Sequence, residues 1–327
     1  MNAARSHHLV RQELSWLILL SICLFPVCVL SSTESDTTAV ESPKEQYQIL
    51  YEKAVSSLGR YEFTESIKYC EEALLCNPRD YVTRAILCLD YYEMAEELDV
   101  KKTGDKKSKM EMYNKMLLYS GDGIRAAPDR GECYFMHGLA NARIATTQGV
   151  LSSLFKAKEI EKDWLMAVQK KSDFVTPDGD NLSASSNIGL GVYYRLCPSF
   201  FLLKWLFGIH GDINKSVAYC RKAYQIDPAR TMIAKEYGIS LITRGLENKN
   251  QQDIEQGKKY LQQVASLPLR LDSNSVSVAH RTENIDIEHS RMLLKNIKLC
   301  PGYSRDQQQE NSETAYRKMK KEEKEGR

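Results

Sequence analysis

The chain has 327 residues, and its 45 Lys and Arg nearly balance 43 Asp and Glu, so it carries no surplus positive charge for a nucleic-acid backbone. That length suits two ordinary domains or one elongated array, and a 43% hydrophobic composition is ample for a buried core. Nine cysteines include Cys23 and Cys28 in an apolar N-terminal stretch; the other seven form no CxxC, and several recur at helix-core spacing. They read as small buried hydrophobes rather than a disulfide framework.

Arg5 and Arg11 precede residues 14–30, LSWLILLSICLFPVCVL, which carry no charge, and a polar SSTESD follows. The stretch is at the lower limit for a bilayer span and longer than a usual signal core. Residues 1–31 are therefore expected to be an export signal, cut after Ser31, or a membrane anchor. Either places the protein in an exported, periplasmic or extracytoplasmic setting. A lipobox reading would put a lipid on Cys23, where Leu20 fits the pattern and Ile22 does not. Residues 32–43 are polar, lack aromatics and read as a linker.

From residue 44 to 299 the apolar positions recur with helical spacing and pair into hairpins. The first hairpin covers about 44–78, and its back helix places Ser66, Cys70, Ala73 and Pro78 at fixed intervals. The second runs from Asp80 to Pro128, with residues 100–109, VKKTGDKKSK, expected to be a solvated basic loop; a patch for acidic partners is the alternative. In the third, Tyr134 and Gly138 begin the front helix, and the back helix sets Leu151, Leu154, Phe155, Ile160, Trp164, Ala167 and Val168 on one face. The fourth holds Leu190, Gly191 and Tyr194, and its back helix, GDINKSVAYCRKAYQIDP at 211–228, opens on the cap residue Asp212. There Ser216, Cys220, Ala223 and Pro228 repeat the intervals of the first hairpin. The fifth hairpin, from Arg230 to Pro268, carries Tyr237, Gly238 and Leu241 with a polar loop at 246–253, and a last amphipathic helix at 285–299 caps the array. Residues 300–327 are highly charged and are expected to be disordered or a frayed helix.

One segment departs from the hairpin pattern. Residues 195–210, RLCPSFFLLKWLFGIH, stand where a short turn is expected and carry Phe200, Phe201, Leu203, Trp205 and Phe207. Such an apolar run must be covered. It either packs on its own array, lids an apolar ligand cavity or contacts a membrane surface.

These repeated intervals resemble the tetratricopeptide (TPR) repeat, whose pattern asks for a small residue, an apolar one, another small one and then proline, with glycine at the helix crossing. More narrowly, residues 147–168, the LGVYYRL helix, the aromatic insert and 211–228 are similar in layout to bacterial TPR proteins related to regulator-of-microtubule-dynamics proteins. They are also similar to the T-component of tripartite ATP-independent periplasmic (TRAP) transporters. The resemblance implies an all-α solenoid of about five helical hairpins with a C-terminal capping helix, and binding rather than chemistry. For T-components it implies a periplasmic lipoprotein with an apolar cavity.

Catalytic patterns are sparse. Gly189-Leu190-Gly191 lacks a third glycine and reads as a helix crossing, and residues 177–181, PDGDN, read as a turn and cap. Cys133 and His137 lie one helical turn apart without a third ligand, so no metal or other cofactor is expected. No HExxH, GxSxG or P-loop is present. Function is therefore expected on the groove that stacked hairpins create, with Tyr134, His137, Asn141, Asn187, Tyr194 and Tyr237 as candidates for contact with a protein or peptide partner. The three tyrosines occupy repeat positions where packing between helices competes with that role. The alternative is a transport accessory component that encloses a small apolar ligand near the 197–209 insert, and nucleic acid is excluded as a partner.

Overall fold

The computed structural model describes residues 42–98, 103–148, 150–170, 172, 174–176, 179–197, 209–269 and 278–305. Within them the chain is all-helical: α1 Pro43–Gly59, α2 Phe63–Cys76, α3 Tyr81–Glu96, α4 Thr103–Ala126, α5 Glu132–Gln148, α6 Val150–Gln169, α7 Leu182–Leu196, α8 Ile213–Ile226, α9 Thr231–Asn248, α10 Gln251–Ala265 and α11 Val278–Lys295. A 3-10 turn, Ile297–Leu299, follows, and the only extended pairing among the described residues is a single bridge between Val175 and Asn181. No helix of the described residues is long and apolar enough to cross a membrane. Residues 14–30, Cys23 and the aromatic run from Phe200 to Phe207 lie outside the described residues.

The helix boundaries follow from local chemistry. Ser42 and Glu45 form a reciprocal capping box at α1, with Pro43 in the first turn, where its missing N–H costs nothing. Asp80, Asn181, Asp212 and Asn250 each accept backbone N–H groups at the starts of α3, α7, α8 and α10. Of residues 177–181, 179–181 are described: Gly179 takes a positive φ of 88°, which glycine adopts without strain, and Asn181 caps α7 as expected.

Consecutive helices pack as neighbours throughout, and the closest pairs are α1 with α2, α3 with α4, α5 with α6, α7 with α8 and α9 with α10. This is the solenoid of helical hairpins expected, with α11 packed against α10 as the terminal element. Each odd-numbered helix also touches the next odd one, from α1 to α11, while no even-numbered pair makes a comparable contact among the described residues. Two rows with unequal spacing must curve toward the tighter one, so the odd helices line the inner face.

Small residues set the close crossings. The Trp164 ring of α6 lies against Gly138 of α5 and Gly189 of α7, and a Cβ at Gly138 would come within 2.7 Å of it. Gly191 faces Cys220 of α8, where a Cβ would meet Sγ at 2.3 Å, and Gly238 faces the backbone of Gly257. Ser66, Cys70 and Ala73 are fully buried, as are Ser216, Cys220 and Ala223 at the same intervals. All seven described cysteines are free, five of them buried.

Four expectations change. From Thr103 on, the basic run is helix rather than loop, and Lys109 is already buried on α4. The polar stretch 246–253 is mostly helix, broken only at Lys249, which takes the left-handed conformation, and Asn250, which caps α10. Phe155 is 72% exposed rather than on the packed face of Ile160, Trp164 and Ala167, because nine residues at about 100° each set it on the side of α6 opposite Trp164. The packed chain also runs past 299. Cys300 and Tyr303 are buried in the same cluster as Ile239, Ile242, Leu261 and Leu293, so the expected tail begins no earlier than 306.

Candidate functional site

The inner face carries ionisable side chains where an amphipathic helix should carry apolar ones. On α9, Lys235 precedes Ile239 and Ile242 in one stripe, and all three are fully buried. Asp286 stands in the same relation to Ser290 and Leu293 on α11, and Arg195 to Ile188 and Gly191 on α7. Burying such charges costs several kcal/mol per ion unless they are paired and hydrogen-bonded.

They are paired. Lys235 Nζ lies 2.5 Å from Asp286 Oδ1, and Arg195 Nη2 lies 2.7 Å from Glu236 Oε2. Lys235 also reaches Glu236 Oε1 at 3.3 Å, which joins the two pairs into one network across α7, α9 and α11. Burial opposes the Lys235 charge, but Asp286, Tyr303 and Glu236 outweigh it and hold the ammonium above its usual range.

A short arm of the chain lies in this network. Arg195 Nη1 donates to the backbone carbonyls of Cys300 at 3.2 Å and Tyr303 at 2.6 Å. Lys235 Nζ donates to the Tyr303 hydroxyl at 3.0 Å and lies 5.1 Å from the centre of its ring. The same hydroxyl faces His289 Nδ1 at 2.8 Å. Burial and the neighbouring Lys235 charge press His289 down to about 4, so near neutrality its ring is uncharged. Desolvation likewise pushes the Tyr303 phenol up to about 12. Arg305 donates to Thr282 Oγ1 at 3.2 Å, and its charge is favoured by the carboxylates of Asp286 and, further along the row, Glu96 of α3. There Arg143 of α5 donates to the Tyr92 hydroxyl at 2.8 Å, and Tyr113 donates to Glu96 at 2.7 Å.

The residues expected to contact a partner are placed differently from this arm site. Tyr134 is half-buried and donates to the Pro128 carbonyl at 3.3 Å. Tyr194 is buried, donates to Glu161 at 2.6 Å and stacks on Tyr219, while Tyr237 packs with Tyr224 and Tyr260. All three serve helix packing. Asn141 is 1% exposed, and its carbonyl accepts from Lys156, so its amide is spoken for. Asn187 donates to Ser183, one turn back on its own helix, and its buried Oδ1 finds no hydrogen-bond partner among the described residues.

His137 pairs with Asp163 Oδ2 at 2.7 Å, whereas Cys133 turns toward α3 and α4, its thiol 3.5 Å from the Tyr81 carbonyl. His137, Glu159 and Asp163 bring three ligand atoms within 4.8 Å of one another. The Lys156 ammonium, bonded 2.8 Å away to Asn141, sets a positive charge beside that group and weakens its pull on a cation. A separate cleft of about 470 Å³ lies among Tyr51, Val55 and Leu58 of α1, Tyr81, Val82 and Ile86 of α3, and Phe174, far in sequence from the 197–209 insert.

The arm site was legible in part. Charged residues interrupting three apolar stripes are visible in the sequence, but a lone tyrosine in a charged tail gives no sign of where it docks. In comparisons with known proteins, no protein-family model matches this chain, and no curated protein matches it significantly.

Proposed function

We propose that this chain is a non-catalytic helical scaffold of the tetratricopeptide type, whose inner face holds an extended segment of a protein or peptide partner. The observation that carries this reading is the grip of Arg195 on two backbone carbonyls three residues apart. Contacts to main-chain carbonyls are independent of side-chain identity, which is what a groove for extended peptide requires. The Lys235 and Asp286 pair adds a pocket for one aromatic hydroxyl and so supplies selectivity. Residues 14–30 would export or anchor the scaffold, placing its groove in an extracytoplasmic compartment.

Photo-crosslinking tests the reading. A photoreactive residue at position 282 on α11 or 92 on α3 should join a discrete polypeptide, while the same residue at exposed Leu75 on α2 or Leu118 on α4 should not. Equal yields from both rows would contradict it.

A further inference from the structure

We propose that Cys300–Arg305 is the resident occupant of a receptor groove, exchangeable with a partner segment that carries tyrosine followed two residues later by arginine. The inference rests on the groove reading above and specifies its partner.

Three observations carry it. The first is charge balance: Lys235 pairs with Asp286 and Arg195 with Glu236 without any help from the arm. The arm brings carbonyls, a phenol and the Arg305 guanidinium, but the carboxylates that favour that guanidinium already have cations, Asp286 in Lys235 and Glu96 in Arg143, so its departure leaves no uncompensated charge and water can take over the vacated hydrogen bonds. The second is that, beyond the apolar packing of Cys300 and Tyr303, the arm is held by side chains and not by a ladder: Arg195 grips its carbonyls, Lys235 and His289 its phenol, Thr282 its guanidinium. Each grip is a feature another chain can present. The third is a spare donor. Arg195 Nε is buried and finds no hydrogen-bond partner among the described residues, although both of its Nη atoms are engaged. The resident arm therefore leaves part of the site unsatisfied, and a partner with one more acceptor at that point would bind better.

The pattern Tyr-x-Arg follows from the pockets. Lys235, Asp286 and His289 surround a phenol, and replacing tyrosine with phenylalanine would leave the His289 and Lys235 contacts unmet. The arginine two residues on bonds Thr282, and the carboxylates of Asp286 and Glu96 favour its charge from further off.

The test uses the full-length chain and a labelled peptide of residues 298–307, KLCPGYSRDQ, read by fluorescence anisotropy. The tethered arm competes at an effective concentration of roughly millimolar, so the wild-type chain should bind the peptide weakly. Weakening the arm with Tyr303→Ala and Arg305→Ala should tighten peptide binding at least about tenfold, and a peptide with alanine in place of tyrosine should lose that gain. Arg305→Ala alone should give a smaller gain in the same direction. The inference is overturned if the folded double variant ignores the peptide or binds the alanine peptide as well. It is equally overturned if the double variant loses its helical circular dichroism, because a segment whose loss unfolds the chain is no exchangeable occupant. Inner-face cross-links combined with failure of this peptide would leave the groove standing and remove only the Tyr-x-Arg specificity.

Discussion

The first and fourth hairpins bury the same serine in the same seam and give it different partners. Ser66 of α2 donates to the Asp90 carboxyl of α3 at 2.7 Å, and Ser216 of α8 donates to the Ser240 hydroxyl of α9 at 3.0 Å. Both pairs are 24 residues apart, both are fully buried, and Cys70 and Cys220 stand in matching places beside them. The repeat therefore fixes where the seam lies but not whether it titrates. Burial pushes the Asp90 carboxyl up to about 8, against a weaker opposing pull from Ser66, and its Oδ1 has no hydrogen-bond partner among the described residues. The serine pair is neutral at every ordinary pH.

The largest effect should come from making the neutral seam acidic. Ser240→Asp places a carboxyl between Ser216 and Cys220 with Glu236 one turn away, and above pH 8 it should cost about 3–5 kcal/mol, as expected of an uncompensated buried charge. At pH 4 the group is protonated and the loss should be much smaller, which chemical denaturation at both values will read.

The groove supplies a third kind of polar burial, a true ion pair, and breaking it should cost slightly less. Lys235→Met strands Asp286 and should destabilise by about 3 kcal/mol, with most of the loss recovered when Asp286→Leu is added.

Asp90→Asn sharpens the comparison from the other side. A carboxyl raised from 3.8 to about 8 in the folded chain contributes stability that is complete below pH 4 and is lost as pH climbs to 8. The amide mimics the protonated acid without titrating. The variant should therefore lose the wild type's decline between pH 4 and 8 and exceed it in stability at pH 9, as chemical denaturation across that range will read.

Much of the fold was legible because hairpin repeats write their crossings in small residues. Gly138, Gly191 and Gly238 mark contacts with α6, α8 and α10, and the aromatic and cysteine positions beside them are buried as their spacing requires. Charge misled where it was read as exposure. Lys109 lies on a buried helical face within a basic run, and the polar letters of 246–253 conceal two helix ends separated by two residues. The site was harder to read for the same reason. Asn141 and Asn187 looked suited to peptide contact by type, yet both spend their amides inside the array. The side chains that do hold the arm, Arg195 through its backbone and Lys235 through the Tyr303 hydroxyl, depend on partners 41 to 108 residues away, a separation no local pattern records.

Native-state hydrogen exchange of the full-length chain addresses the removable occupant most directly. If the groove holds Cys300–Arg305 as a ligand, the Tyr303 amide, bonded to Cys300, should exchange through a local opening while α9 stays protected to the limit of global unfolding. If that amide and those of α9 instead exchange together, with one opening free energy across denaturant concentrations, the arm is part of the core and the groove has no vacancy to offer a partner.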